Sequence, residues 1–508
     1  MKMLTSLVRW INMKRLKQID LFMQHPWEVQ ERTLFGLLQK AAGTWWGQRY
    51  DLGSIRTVRQ FQVRLPLQQY EDLAPHVERL REGETNLLWP GKIRWFAKSS
   101  GTTSSRSKFI PVSREALEEC HFRGGKDVLA LYMRNVPDTK IFSGKALTLG
   151  GSHQVNKFSN RSLYGDLSAI LIQNIPFWAH FLRVPELGIA LLDQWDVKLK
   201  EIARTTIHEN VTNLAGVPSW NLVLIRYILE YTGKKNLLEI WPNLELFIHG
   251  GVSFEPYRRQ FEDLIPSPRM HYMETYNASE GFFAIQDDLS RNEMLLMLDY
   301  GIFYEFIPME HFDNEDPPVL TLPEVEKGKN YALVITTNGG LWRYVIGDTV
   351  RFTSLRPYRL VITGRTRHFL NAFGEEVIID NAEKALRAAC EKTRAVVSEY
   401  TVAPVFMEEG KKARHEWCIE FEHPPTDMEI FTRLLDEHLM KVNSDYEAKR
   451  FKDITLDIPL VHRVKQGTFL EWFRRHNKVG GQNKMPRLSN KRDFVEEILK
   501  IDRESNSL

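Results

Sequence analysis

Several things are scarce in this chain, and each shortage narrows what it can be. Only three cysteines, Cys120, Cys390 and Cys418, occur in 508 residues, far apart and odd in number. That pattern supports neither a disulfide framework nor a cysteine zinc site, and it points to a reducing, cytoplasmic setting. No apolar run approaches the length of a membrane span, so no integral membrane segment is expected. Net charge is +3, and there is neither an arginine-rich arm nor an RNA-binding aromatic signature. Nucleic acid is therefore not an expected partner. His121, His153, His249 and His271 lack metal-ligand spacing and read as structural or solvated. Repeats and low-complexity tracts are absent as well.

What remains is a soluble globular composition, 43% hydrophobic and 26% charged, with room for two or three domains. Thirteen tryptophans add enough aromatic surface for apolar clefts as well as a core. The basic start, Met1 to Lys17, holds only a short apolar run, Leu4 to Val8, cut off by Arg9. It reads as a surface helix rather than a signal peptide, with membrane contact the lesser alternative. Helical spacing continues to about Trp46.

From Ile93 onward the pattern alternates between strands and helices. Leu244 to Ile248 runs into Gly250-Gly251, and Tyr331 to Ile335 runs into Thr336-Thr337-Asn338-Gly339-Gly340. Strands that end in glycine pairs are typical of α/β folds, which bind ligands where strands end. Asn338-Gly339-Gly340 predicts a hairpin into a strand over Leu341 to Val345. A smaller domain follows, in the order α-β-β-α-β: a helix over Asn381 to Thr393, strands over Val396 to Val402 and Glu416 to Phe421, a helix through Phe431, Leu434, Leu435, Leu439 and Val442, and a strand over Ile454 to Leu460. The boundary falls between Thr363 and Phe369, giving a larger α/β unit over 1–365 and a smaller α+β unit over 366–508.

Five segments carry candidate chemistry. The first is Lys98-Ser99-Ser100-Gly101-Thr102-Thr103-Ser104-Ser105-Arg106-Ser107-Lys108, between apolar runs Ile93 to Ala97 and Phe109 to Val112. A small, hydroxyl-rich loop lets backbone N–H groups surround phosphate oxygens while lysine supplies charge, which suggests a nucleoside triphosphate. The second is Tyr276-Asn277-Ala278-Ser279-Glu280-Gly281. Here an aromatic ring can stack on a nucleobase, and one carboxylate is enough for Mg²⁺ held mainly by phosphate and water. The third, Gly347-Asp348, can accept from ribose hydroxyls or simply cap its own turn. The fourth, Gly364-Arg365-Thr366-Arg367-His368, is a hinge or a plain linker. The fifth, Gly480-Gly481-Gln482-Asn483-Lys484, offers a lysine that can swing toward phosphate or remain solvated.

The order of these segments resembles that of the acyl-adenylate-forming superfamily. Within it the chain is similar to the acyl acid amido synthetases, the auxin-responsive Gretchen Hagen family, in a bacterial form. The residues that carry the likeness are Ser99 to Ser105, Gly250-Gly251 with Pro256-Tyr257, Tyr276 to Gly281, Trp342-Arg343-Tyr344 before Gly347-Asp348, and Gln482 to Arg487. It spans about Pro66 to Leu488. One departure is Ser104-Ser105, where such loops usually carry a second glycine; serine disfavours positive φ.

The resemblance implies a large multi-sheet adenylating domain and a small mobile C-terminal domain. It implies ATP and Mg²⁺, with a carboxylic acid and an amino acid or other amine as small-molecule partners. Ser99, Ser100, Gly101, Thr102 and Thr103 would hold the phosphates, flanked by Lys108. Gly250, Gly251 and Tyr276 would frame the adenine, beside Ser279. Glu280 would bind the metal, and Asp348 with Arg365 the ribose. Lys484, Glu280 and Thr102 would act in catalysis, and Arg367 or His368 would be the interdomain pivot. Trp220 is a candidate wall of the acyl pocket or a core residue, and a monomer is favoured.

Two alternatives keep the fold: thioester synthesis with coenzyme A, and a non-catalytic nucleotide-binding scaffold. A third reading fails. Ser105-Arg106-Ser107-Lys108 spells the Ser-x-x-Lys of β-lactamases, but Pro111 follows at once and no Lys-Thr-Gly exists.

Overall fold

The computed structural model describes residues 2–99, 108–149, 156–159, 162–192, 194–251, 254–366, 369–373, 375, 377–408, 411–450, 456–476 and 485–504. These form two compact units that divide between Thr366 and Arg367.

The larger unit opens with helices Lys2–Gln24, Pro26–Ala41 and Trp45–Arg49. In the second, Leu34, Leu37, Leu38 and Ala41 fall on one buried face at helical spacing. Gln30 on that helix is fully buried and fully used: its amide donates to the carbonyls of Leu298 and Ile302, and its oxygen accepts from Tyr304 N. Arg15, in the basic start, is not solvated but bonds to Asp127 and Asp299 of the body.

Fifteen strands follow in the described part of this unit. They are β1 (Trp95–Ser99), β2 (Lys108–Val112), β3 (Lys145–Thr148), β4 (Asn156–Ser159), β5 (Ser162–Gly165), β6 (Arg183–Val184), β7 (Val211–Gly216) and β8 (Leu246–His249). Then come β9 (His271–Ala278), β10 (Gly281–Ile285), β11 (Met294–Leu296), β12 (Ile302–Pro308), β13 (Asn330–Thr337), β14 (Tyr344–Leu355) and β15 (Tyr358–Arg365). A small sheet has the order β2-β1-β5-β4, and a large one runs β12-β13-β14-β15-β11-β10-β9-β8-β7-β3-β6.

The large sheet has two characters. From β9 to β6 its strands are parallel, the arrangement that gathers loops at the carboxyl ends. From β12 to β9 neighbouring strands are antiparallel, and this half curls round on itself. Five strand steps separate β10 from β12, about 24 Å on a flat sheet. Yet the rings of Phe283 and Tyr304 lie 6.4 Å apart, and a Cβ on Gly281 would meet Ile302 Cδ1 at 2.7 Å. Bulges at Phe283 and Thr363 bend the strands as such closure needs. Strand β12 is buried along its whole length, which explains its unbroken apolar run apart from Glu305.

The hairpin expected at Asn338-Gly339-Gly340 forms, but its second strand begins at Tyr344 rather than Leu341. Leu341, Trp342 and Arg343 lie buried in the connection. Arg343 takes φ 44°, and Trp342 Nε1 donates to Leu88 O at 3.0 Å. Their bulk serves packing beneath the turn, not a ladder. The Arg343 guanidinium makes a two-pronged pair with buried Glu305, at 3.0 and 3.1 Å, and donates to Gln62 O and Leu65 O.

In the smaller unit, helix Ile379–Thr393, strands Val396–Val405 and Arg414–His423, helix Met428–Val442 and strand Leu460–Val464 follow the expected α-β-β-α-β order, with one further helix, Ser444–Arg450, before the last strand. The last strand starts where Ile454 to Leu460 was expected to end. A single bridge, Leu456 with Ala413, comes first; Pro459 lacks the N–H a ladder needs, so continuous pairing begins after it. Helices Thr468–Arg475 and Asp493–Glu504 close the core with Phe469, Trp472, Val495, Ile498 and Ile501. A buried pair, His415 Nε2 with Glu375 at 2.6 Å, ties the 371–378 segment to the sheet, and Glu375 also accepts from the N–H groups of Ala372 and Phe373.

Candidate active site

The site grows from four places where strands end or turn in the larger unit. Strands β9 and β10 join through a two-residue turn, Ser279-Glu280, which carries the Glu280 carboxyl at its tip. Three residues before the turn, Tyr276 on β9 is buried, its ring 4.8 Å from that of Phe283.

Asp348 stands on β14 just after Gly347, whose φ of +95° favours glycine. It pairs in register with Arg365 on β15, and Arg365 Nε lies 3.1 Å from Oδ1. The Tyr276 hydroxyl donates to Oδ2 at 2.6 Å. Burial and the Asp348 charge hold the Tyr276 phenol well above its usual range, so it stays a donor.

Lys108 opens β2 opposite Ser99 at the end of β1, so the two residues bracket the phosphate-loop segment. Its side chain is buried. Nζ donates to the Tyr344 hydroxyl at 3.4 Å and lies 5.5 Å from the centre of the Tyr70 ring. Tyr70 in turn accepts from Phe109 N at 2.7 Å, which fixes the start of the strand. Glu280 feels this whole group. Burial pushes its carboxyl up to about 7; the Lys108 and Arg365 charges oppose the rise and the Asp348 carboxylate adds to it.

At the carboxyl end of β8, Gly250 passes so close to β9 that a Cβ would meet Thr275 O at 2.4 Å. Only glycine permits that approach, and Gly251 follows it. Trp220 stands partly buried in the first turn of helix Pro218–Thr232, beyond the end of β7.

The structure thus brings Tyr276, Glu280, Asp348, Arg365 and Lys108 into one electrostatic cluster. Ser100, Gly101, Thr102, Thr103, Arg367, His368 and Lys484 lie outside the described residues. Tyr70 and Tyr344 were given no role from sequence. Tyr344 lies inside the motif that ends in Asp348, whereas Tyr70, 38 residues before Lys108, carries no signal of its own. Among the described residues no group of three His, Cys, Asp or Glu side chains is placed to hold a metal. No helix among them is long and apolar enough to cross a membrane.

A model of the GH3 family N-terminal domain matches residues 15–270, one of the family's central domain matches 295–365, and one of its C-terminal domain matches 380–493. The chain belongs to the GH3 family. This is the family that the motif order resembles. A jasmonoyl–L-amino acid synthetase of Nicotiana attenuata is 25% identical over 457 residues, covering 76% of each chain. The acyl acid amido synthetase GH3.15, solved in complex with 2,4-DB, superposes with a TM-score of 0.63 at 17% identity, over 97% of this chain and 96% of that one. A 2-hydroxyisobutyryl-CoA ligase, solved with its acyl adenylate and CoA, gives 0.58 at 12% identity, over 96% and 93%. These two likenesses show that the GH3 chain has the fold of acyl acid amido synthetases and of an adenylate-forming ligase.

Proposed function

We propose that this GH3 chain is an ATP-dependent acid–amino acid ligase. It activates a carboxylic acid as an acyl adenylate, releasing pyrophosphate, and passes the acyl group to the amine of an amino acid, releasing AMP. The observation that carries the reading is the Tyr276–Asp348–Arg365 arrangement beside Glu280 and Lys108, in a chain whose family relatives are named as amido synthetases.

Each described residue has work to do in that reaction. Asp348 accepts from Tyr276 on one oxygen and pairs with Arg365 on the other; an ionised carboxylate has about four lone-pair sites, so two remain for ribose hydroxyls. Gly250 and Gly251, with Tyr276, border the nucleobase where the parallel strands end. Lys108, clamped between Tyr70 and Tyr344, places a fixed positive charge at the mouth of the phosphate loop. Ser99, Ser100, Gly101, Thr102 and Thr103 cradle the β- and γ-phosphates there, and Ser279 stands beside the adenine.

A lone carboxylate suits Mg²⁺ that arrives with the nucleotide and keeps water and phosphate oxygens as its other ligands. Glu280, at a half-buried hairpin tip, fits that part. Bound with ATP, the ion would supply charge neutralisation across the phosphates. The acid needs no general base, since its carboxylate is already a nucleophile, so positioning and charge compensation do most of the catalysis. Lys484 meets the developing charge in the first half-reaction. Residues 366–508 then turn about Arg367 or His368 to withdraw it and admit the amine. Trp220 walls the acyl pocket. The cytoplasm suits the three free cysteines, and we take the working form to be a monomer.

Acid-dependent exchange of labelled pyrophosphate into ATP tests the first half, with hydroxylamine trapping across aryl and aliphatic acids to find the substrate. Amino acids rather than coenzyme A should then consume the adenylate. Intact ATP binding without exchange over a broad acid panel would leave a scaffold, and this reading would fall.

A further inference from the structure

Among the described residues of the larger unit, one buried arginine, Arg183, stands without a counter-ion. Arg183 begins β6, the outermost strand of the large sheet, four strand positions from β9. All three guanidinium nitrogens are buried, and none has a hydrogen-bond partner among the described residues. The other buried arginines differ: Arg81 meets Glu78, Arg343 meets Glu305 and Arg450 meets Asp436. A guanidinium keeps its charge, and leaving that charge in a dry interior without a counter-ion is strongly unfavourable. Burial alone acts on Arg183, drawing its pKa down.

The surroundings say what kind of counter-ion fits. The turn that enters β6, Phe177–Leu182, exposes Phe177 (79%), Phe181 (64%) and Leu182 (39%), an apolar surface on the segment that leads directly into the arginine. Phe177 and Phe181 meet edge to face at 5.2 Å, a ready wall for another flat apolar group. A cation behind an exposed aromatic surface matches an anion with an apolar body, not a fully hydrated one.

We infer that Arg183 anchors a second anion site, one that takes the carboxylate of an apolar organic acid through a two-pronged pair. The exposed Phe177 and Phe181 cover the acid's apolar body. A carboxylate paired there stands four strands from Tyr276 and is not the one the Asp348 cluster would activate. The inference does not depend on the adenylation reading, because binding is measured without ATP.

Benzoate is the probe, with acetate and inorganic phosphate as controls at matched ionic strength. In the full chain, benzoate should bind in equilibrium dialysis and raise the unfolding temperature by about 2 °C at saturation. Arg183→Lys keeps the charge but loses the planar fork, and should weaken benzoate binding about tenfold; Arg183→Met should abolish it. Phe181→Ser, which leaves the guanidinium in place, should weaken benzoate several-fold and leave phosphate unchanged. The inference is overturned if the wild type binds no benzoate, if Arg183→Lys binds it equally well, or if acetate or phosphate stabilises the chain as much as benzoate does.

Discussion

Tyr276 and Asp348 are 72 residues apart in sequence and four strands apart in the sheet, yet the phenol donates to the carboxylate at 2.6 Å. A flat sheet would hold β9 and β14 about 19 Å apart, so the contact exists only because the antiparallel half curls. Fold and site are therefore one problem here. The bulges that bend β10 and β14–β15 also bring a tyrosine donor to a carboxylate that already holds an arginine.

Removing the Tyr276 hydroxyl tests that coupling. Tyr276→Phe preserves the ring packing on Phe283 but takes one donor from a buried carboxylate, a loss of about 1–3 kcal/mol. Urea unfolding should show that loss, and the KM for ATP in pyrophosphate exchange should rise roughly tenfold or more. Unchanged values in both measurements would mean that Asp348 gains nothing from Tyr276.

Glu280 should behave differently, because it sits at a turn and supports no core. Because burial pushes the Glu280 carboxyl up to about 7, Glu280→Gln is expected not to lower the unfolding free energy, and to raise it above pH 7. Exchange activity should fall and should require more Mg²⁺ for half-maximal rate. A Mg²⁺ titration that superposes on the wild-type curve would take Glu280 out of metal binding.

Much of this site could be read from sequence, for a physical reason. Ser99, Gly250 and Glu280 stand where an apolar strand gives way to small or polar residues, and that contrast is local; Asp348 lies within β14 and is marked only by the glycine before it. The misreadings share a different cause. Leu341, Trp342 and Arg343 have the bulk of a strand, but they fill space beneath a turn, and burial by distant residues such as Leu88 and Glu305 leaves no local mark. The clamp of Tyr70 on Lys108 and the curl of the sheet likewise depend on contacts far apart in the chain. Helices Thr468–Arg475 and Asp493–Glu504 do have amphipathic spacing, but over 8 and 12 residues it is too short to stand out before the partner faces are known.

The buried pair of Glu305 and Arg343 yields a prediction about folding rather than chemistry. Both side chains are almost fully enclosed, and Gln62 adds a further donor to Glu305 at 3.1 Å. Removing one partner strands the other charge, so Glu305→Leu or Arg343→Met alone should cost about 3–5 kcal/mol. The double variant should recover much of the loss, because two apolar groups leave no orphaned charge between β12 and the 341–343 turn. Additive losses in the double variant, measured by urea unfolding, would contradict this account.

Two buried histidines weaken the fold toward acid pH. His121 and His249 are nearly inaccessible, and burial draws their pKa values from 6.5 down to about 4 and about 3, with the Arg258 charge helping at His249. Both are neutral in the fold, whereas the unfolded chain takes up their protons near pH 6.5. Their contribution is thus fully present above about pH 6.5 and is lost as pH falls toward the folded values, at about 1.4 kcal/mol per pH unit for each histidine. His249 stacks on Phe254 at 4.2 Å, so Phe should fit in its place. Unfolding free energies at pH 7.5 and pH 5 should converge in His249→Phe by about 2 kcal/mol relative to wild type. An unchanged pH slope in that variant would mean that His249 takes up its proton within the folded chain, at the end of β8 and beside Gly250.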